Sequence, residues 1–397
     1  MIAPHDKAHR HPSLSPTPGS GPRVLMPSTR AFRRRAFQLG LYEAQDVLAD
    51  VADVDLVCLE PRPGAGFWRR ERWQRRLLYR DVTRRLVFMN PGLERVRVAG
   101  DYDVFVAVCQ NYWDLLAYNA MDGWKDRCRT SVCWLDELWV ADLPHSGYWL
   151  HALNQFDHVF LGCAGSVGPV SSALGRQCHW IGGAVDTIRF SPYPQLPDRV
   201  IDIYRIGRTN DRLHAAFRQA AADHGWFYVH DTVRGSDLEP LDHREHRELL
   251  ARMAKRSRFF VVAPGKVDMP GETQGQVELG YRYYEGSAAG AVMIGQLATC
   301  ASFRERFGWP DAVVEVAPDG SDAVEVLSQL ASDPDRLLTI SHRNATEALL
   351  RHDWVYRWKR IFEVVGLQVP AAMDDRVRRL RELATCAADA SVAVCPR

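Results

Sequence analysis

The stretch Gly275-Gln-Val-Glu-Leu-Gly-Tyr-Arg-Tyr-Tyr-Glu-Gly-Ser-Ala-Ala-Gly-Ala-Val-Met-Ile-Gly295 decides how the rest of the chain is read. Taken as a helix running into a strand, it puts Glu278, Arg282 and Glu285 at i, i+4 and i+7, on one stripe. Gly286, Ser287, Ala288, Ala289 and Gly290 then allow close packing before the apolar run 291–294. Charged groups on a closely packed helix are costly to desolvate unless they are paired or bound to a ligand. An ion-pair ladder along the stripe would satisfy them. So would a ligand carrying hydroxyls and negative charge.

Short apolar runs recur on both sides of this stretch, separated by longer amphipathic segments, which is the pattern of parallel sheets covered by helices. They fall at 23–26, 54–60, 104–109, 130–135, 158–163 and 178–182, and again at 200–207, 226–231, 259–264, 291–295 and 312–317. Phe190-Ser-Pro-Tyr-Pro-Gln-Leu-Pro197 divides the two sets, because its prolines disfavour regular structure. The expected fold class is α/β, with two Rossmann-like doubly wound domains facing across a cleft. A chain of 397 residues suits two such domains. The expected organisation is a disordered leader at 1–22, a first domain at 23–187, a linker at 188–199 and a second domain at 200–350. Helices at 351–397 complete it and partly cross back to the first domain.

Formal net charge is +1, so no large field recruits nucleic acid or membrane as a bulk effect. The arginine runs come with no nucleic-acid reading module, and no nucleic-acid partner is expected. The nine cysteines are scattered, several of them inside apolar runs, and read as reduced thiols of a cytoplasmic protein. No stretch is long and apolar enough to span a bilayer. One segment stands apart: Phe67-Trp-Arg-Arg-Glu-Arg-Trp-Gln-Arg-Arg-Leu-Leu-Tyr-Arg80. It reads either as an interfacial helix, giving peripheral contact with the inner face of a membrane through 67–85, or as a solvated Arg-rich face. The second is the expectation, with Trp68 and Trp73 tucked into the core.

Open α/β sheets bind ligands beyond the carboxyl ends of their strands, so the residues that follow each run matter most. Leu135-Asp136-Glu137 follows the fourth run, Gly207-Arg208-Thr-Asn-Asp-Arg212 the seventh, and Pro264-Gly265-Lys266 the ninth. No Gly-x-Gly-x-x-Gly and no Walker-type loop follows any of them. Gly-Cys-Ala-Gly-Ser-Val-Gly at 162–168 could cradle phosphate, although a structural turn is the simpler account. Arg208 and Arg212 suit a diphosphate, since guanidinium groups offer planar charge-assisted donors next to a helix N-terminus. The alternative is a solvated turn with Asp211 pairing one of them. Glu285 suits a ribose diol, since a carboxylate accepts two hydrogen bonds from vicinal hydroxyls. Lys266 stands on a Gly-rich loop and either faces the ligand or is solvated.

The run 282–295 resembles the donor-binding helix and strand of GT-B glycosyltransferases, in particular the large retaining group and its spore-coat-type relatives. Gly183-Ala-Val-Asp186-Thr-Ile-Arg-Phe190-Ser-Pro192 is similar to the segment that ends the first domain in that group. Ile206-Gly-Arg208 resembles its phosphate-binding turn, and His352-Asp-Trp354-Val-Tyr-Arg357-Trp its C-terminal helix. The resemblance covers the second half of the chain and the junction; the first domain fits only by its order of elements. It implies a nucleotide-sugar donor on the second domain, with Glu285 at the ribose and Arg208 and Arg212 at the leaving diphosphate. Arg282, Glu278 and Lys266 would lie near the donor. The first Glu of the group's paired-Glu motif would fall at Val277, one residue before Glu278. A His common in the first domain of the group gives way here to Asp136 and Glu137, which become the candidates for a base or acceptor-positioning group. The implied activity is metal-independent, retaining hexosyl transfer with no cofactor, to a glycan such as a cell-surface polysaccharide, a lipid or a small-molecule acceptor. A sugar-nucleotide epimerase or hydrolase, or an inactive scaffold of the same fold, are the rival readings.

Overall fold

The computed structural model describes residues 21–80, 84–145, 147–208, 210–232 and 238–393. The expected leader lies outside them, except for its last two residues. Each of the eleven apolar runs yields a strand. The first set gives β1 (Arg23–Ser28), β2 (Asp53–Cys58), β3 (Tyr102–Asn111), β4 (Cys128–Glu137), β5 (His158–Leu161) and β6 (His179–Trp180). The second gives β7 (Ile201–Arg205), β8 (Tyr228–His230), β9 (Ser257–Val262), β10 (Val292–Gly295) and β11 (Val314–Glu315). The first sheet runs β2-β1-β3-β4-β5-β6 and the second β8-β7-β9-β10-β11, with every pairing parallel. Central strands are apolar without alternation (Phe105 to Cys109 are all buried) because helices cover both faces.

The helices that position the site are α1 (Leu39–Val51), α2 (Phe67–Tyr79), α3 (Asp211–His224), α4 (His243–Lys255), α5 (Tyr281–Ala288), α6 (Trp354–Val365) and α7 (Ala371–Ala393). One face of the first sheet is covered by α1 together with α6 and α7, which follow the second domain in sequence. Val24, Met26, Trp134 and Phe160 of the sheet share a buried cluster with Val47, Leu48, Trp354, Trp358 and Leu380. The Trp358 indole donates to the Ala44 carbonyl at 2.8 Å and meets the Trp134 ring edge-on. Among the described residues no helix is long and apolar enough to cross a membrane.

Two local expectations are overturned. The helix in 275–295 begins only at Tyr281, so Glu278 is not on its stripe. The segment before it is pinned as extended chain, with the Gly265 amide donating to the Glu278 carbonyl at 2.9 Å. A Cβ at Gly280 would lie 2.8 Å from the Ala263 carbonyl oxygen, so only glycine fits this approach. In α2 the buried stripe is Phe67, Glu71, Gln74 and Leu78, while Trp68 and Trp73 are 52% and 55% exposed rather than tucked into the core. Arg33, buried after β1, draws Glu71 inward by an ion pair and also meets Asp114 at 2.9 Å. That pairing rotates both tryptophans outward.

Candidate functional site

Glu285 sits near the middle of α5, almost fully buried. One of its oxygens accepts from Arg247 of α4 and the other from Arg282 of its own helix. Arg247 in turn holds Glu43 of α1, with Nε at 2.7 Å and Nη2 at 3.1 Å. Burial alone would lower the pKa of Arg247, but the charges of Glu43 and Glu285 outweigh it and raise it above the ordinary value. Glu43 also accepts from the Asp186 amide at 2.7 Å, the Trp354 indole at 3.0 Å and Arg189 at 3.3 Å. One carboxylate thus ties the first domain to the junction, the second domain and α6.

Arg282 borders the turn after β7: a Cβ at Gly207 would lie 3.3 Å from its Nε. Gly207 has φ +80° and donates to Asp231 at 2.6 Å, which fixes this tight turn. Arg208, next in the turn, makes a partly exposed pair with Asp268 at 3.0 Å. Arg212 lies on the first turn of α3, its amide capped by Asn210. Its side chain is exposed and, among the described residues, joins none of these groups.

The opposing wall comes from the first sheet. Asp136 and Glu137 are the last two residues of β4 rather than residues beyond it. The Tyr281 hydroxyl, from the second domain, donates to Asp136 at 2.8 Å, and Gln110 Nε2 donates to its other oxygen at 3.1 Å. Burial pushes the Asp136 pKa up to about 7, against those two hydrogen bonds and with the help of the neighbouring Glu137 charge. A carboxyl poised near neutrality is suited to proton transfer. Glu137 accepts from the Trp139 indole at 3.0 Å and pairs across the cleft with Lys266 at 3.2 Å. Lys266 also pairs with Glu272 at 3.0 Å. Burial works to lower its pKa, but Glu137 and Glu272 together raise it.

Glu278 has a different place from the one the helical stripe gave it. Its carboxylate accepts from the Ala164 and Gly165 amides at 2.9 and 2.8 Å, and from Gln276 at 2.7 Å. The Gly-rich loop at 162–168 therefore does bind an anion, and the anion is a carboxylate of the opposite domain.

The structure thus brings Glu285, Arg282 and the Arg208 turn together on one wall. It sets Asp136, Glu137 and Lys266 together at the seam, and leaves Arg212 apart. Arg247, Glu43 and Tyr281 were not found from sequence. A signal existed for Arg247: with Leu250, Ala251 and Ala254 it lies on the buried stripe of α4, where a solvated Arg does not belong.

The sequence matches no family model, and no curated protein matches it. Solved structures do resemble it. An alpha-glucosyltransferase in complex with UDP-glucose and DNA containing an abasic site aligns over 87% of this chain and 99% of that chain, at a TM-score of 0.51 and 12% identity. Anabaena Alr3699/HepE in complex with UDP and glucose aligns over 87% and 99%, at 0.49 and 12%. AviGT4, a glycosyltransferase involved in avilamycin A biosynthesis, aligns over 91% and 98%, at 0.45 and 12%. At this identity the first of them speaks to the fold alone: two Rossmann-like domains facing across a cleft, the GT-B arrangement.

Proposed function

We propose that the protein is a glycosyltransferase that moves a sugar from a nucleoside-diphosphate donor on the second domain to an acceptor on the first. The observation that carries this reading is the grouping of Glu285, Arg282 and the Gly207-Arg208 turn beyond the carboxyl ends of β7 and β9. A ribose diol fits the carboxylate, and a diphosphate fits the guanidinium groups and the amides of the turn.

Magnitudes decide which cations can turn to the ligand. The Arg208–Asp268 pair is partly exposed, and such pairs hold by only about 0–1 kcal/mol. Removing one partner of a buried pair such as Arg247–Glu285 costs about 3–5 kcal/mol. Arg208 therefore turns to the diphosphate at little cost, the part-exposed Arg282 does so as a ribose hydroxyl takes its place on Glu285, and Arg247 stays to orient that carboxylate. In the chemical step the bond from the anomeric carbon to the phosphate oxygen breaks, and its electron pair leaves with the diphosphate. Arg208 and Arg282 stabilise the charge that grows there. The acceptor oxygen bonds to the anomeric carbon on the face the diphosphate leaves, and the departing phosphate takes its proton. That retains configuration and places the charge on cationic side chains rather than on a divalent metal. In this reading Asp136 and Glu137 orient the acceptor hydroxyl, and Lys266, paired with Glu137 at 3.2 Å, stands between them and the donor.

Titration with UDP, GDP, ADP and TDP while following thermal stability tests the reading. At least one should raise the melting temperature of the wild type and do so at least tenfold more weakly in Glu285→Gln. No shift with any of the four, or an unchanged affinity in the variant, refutes the donor site. Loss of sugar nucleotide with no acceptor present would instead favour the epimerase or hydrolase reading.

A further inference from the structure

The outward face of α2 is unlike the rest of the surface. Trp68 and Trp73 are more than half exposed, and Arg69, Arg70, Arg72 and Arg76 are exposed around them. None of these four arginines has a carboxylate partner among the described residues. The helix's one acidic residue, Glu71, is turned inward and taken by Arg33. Gln74 Nε2, on the inward stripe, donates to the Leu86 and Met89 carbonyls and holds the next turn against the helix, so that the outward face stays open. The face therefore combines positive charge that has no carboxylate partner among the described residues with large exposed aromatic side chains.

We infer that this face docks on an anionic lipid surface. Two features select lipid over a soluble polyanion. Exposed Trp is an interfacial residue, with an apolar ring for the acyl boundary and an N–H for the headgroup layer. The exposed arginines beside it match the negative potential of anionic headgroups. A helix of this kind lies in the plane of the interface and does not span it. Phe32, just past the carboxyl end of β1, packs edge-on against Phe67 and Trp68. Docking through α2 therefore holds the rim of the interdomain cleft at the headgroup layer, whatever the reaction in the cleft.

The test is cosedimentation of the full chain with vesicles of phosphatidylcholine alone and of phosphatidylcholine mixed with phosphatidylglycerol. Binding is expected to the mixed vesicles, and to weaken as salt rises. Arg69→Gln with Arg72→Gln should weaken it roughly 25-fold, at about fivefold for each arginine near an anionic surface. Trp68→Ala with Trp73→Ala should weaken it at least about tenfold. The exposed arginine pair should melt with the wild type; the tryptophan pair gives up the contacts of Trp68 with Phe32 and Phe67, so its binding is compared at a temperature below its own melting transition. As a second readout, brominated acyl chains should quench tryptophan emission in the wild type and lose that effect in the tryptophan variant. Absence of binding to the mixed vesicles overturns the proposal. Equal binding to phosphatidylcholine alone does so too, as does unchanged binding in both variants. Binding of a DNA duplex through the same residues, without vesicle binding, would show a polyphosphate surface and overturn it as well.

Discussion

Replacing Asp136 by Asn should change how stability depends on pH. The carboxyl is buried, and its pKa rises from 3.8 to about 7, with burial as the main cause. A shift of about three units corresponds to on the order of 4 kcal/mol between the two protonation states. Because the folded value lies above the unfolded one, the protonated carboxyl stabilises the fold below the unfolded pKa. That contribution is lost as pH rises through about 7. Asn mimics the protonated form and cannot ionise. Gln110 can accept it by turning its amide, since Gln110 Oε1 is buried without a partner. The denaturation midpoints of wild type and Asp136→Asn should therefore lie close together near pH 4. Above it they should separate in favour of the variant, by up to a few kcal/mol, and run parallel again above about pH 8. Urea titrations at intervals from pH 4.5 to 8.5 would measure the gap, with background titrations cancelling between the two proteins. A gap that stays constant with pH, or opens in favour of the wild type, would refute the assignment of this charge to Asp136.

Three further outcomes follow from packing and charge. Glu278→Gln puts an amide nitrogen against the Ala164 and Gly165 donors. It should cost about 1–3 kcal/mol by thermal melting and enlarge the radius of gyration in small-angle scattering as the domain contact loosens. Gly162→Ala would place a Cβ 2.3 Å from the Asp136 carbonyl oxygen, and the overpacking should destabilise by about 1–3 kcal/mol, read as a lowered denaturation midpoint. Trp358→Ala removes a fully buried ring between α1 and the first sheet and should cost about 3–5 kcal/mol on the same scale.

The sheets were legible because parallel strands buried on both faces must be continuously apolar, and every such run became a strand. Strand ends were less so. β4 continues through Asp136 and Glu137 because Asn111 pairs with Glu137 in register, a contact no local window shows. Glu285 and Arg282 were found from helical spacing and lie side by side. Glu278 was misplaced because the start of α5 is set by the approach of Gly280 to Ala263, seventeen residues upstream. Trp68 and Trp73 were misjudged for a related reason. Arg33, far away in sequence, chooses which face of α2 turns inward. Arg247 was missed because an Arg in an Arg-rich helix reads as solvated unless its position on the apolar stripe is checked.

The covering of the first sheet by α6 and α7 bears on the order in which the protein can be built. Chains emerge from the ribosome N-terminus first, and domains generally fold as they appear. Here the strands of the first sheet and α1 are made early, but Trp354 and Trp358, which pack on Trp134 from α6, and the apolar residues of α7 arrive only when residues 354–387 have been synthesised. The second domain, whose strands lie between 201 and 315, is made before that cover arrives. The domain that begins first in sequence is therefore the one that closes last, and through synthesis that face of its sheet is covered by α1 without α6 and α7.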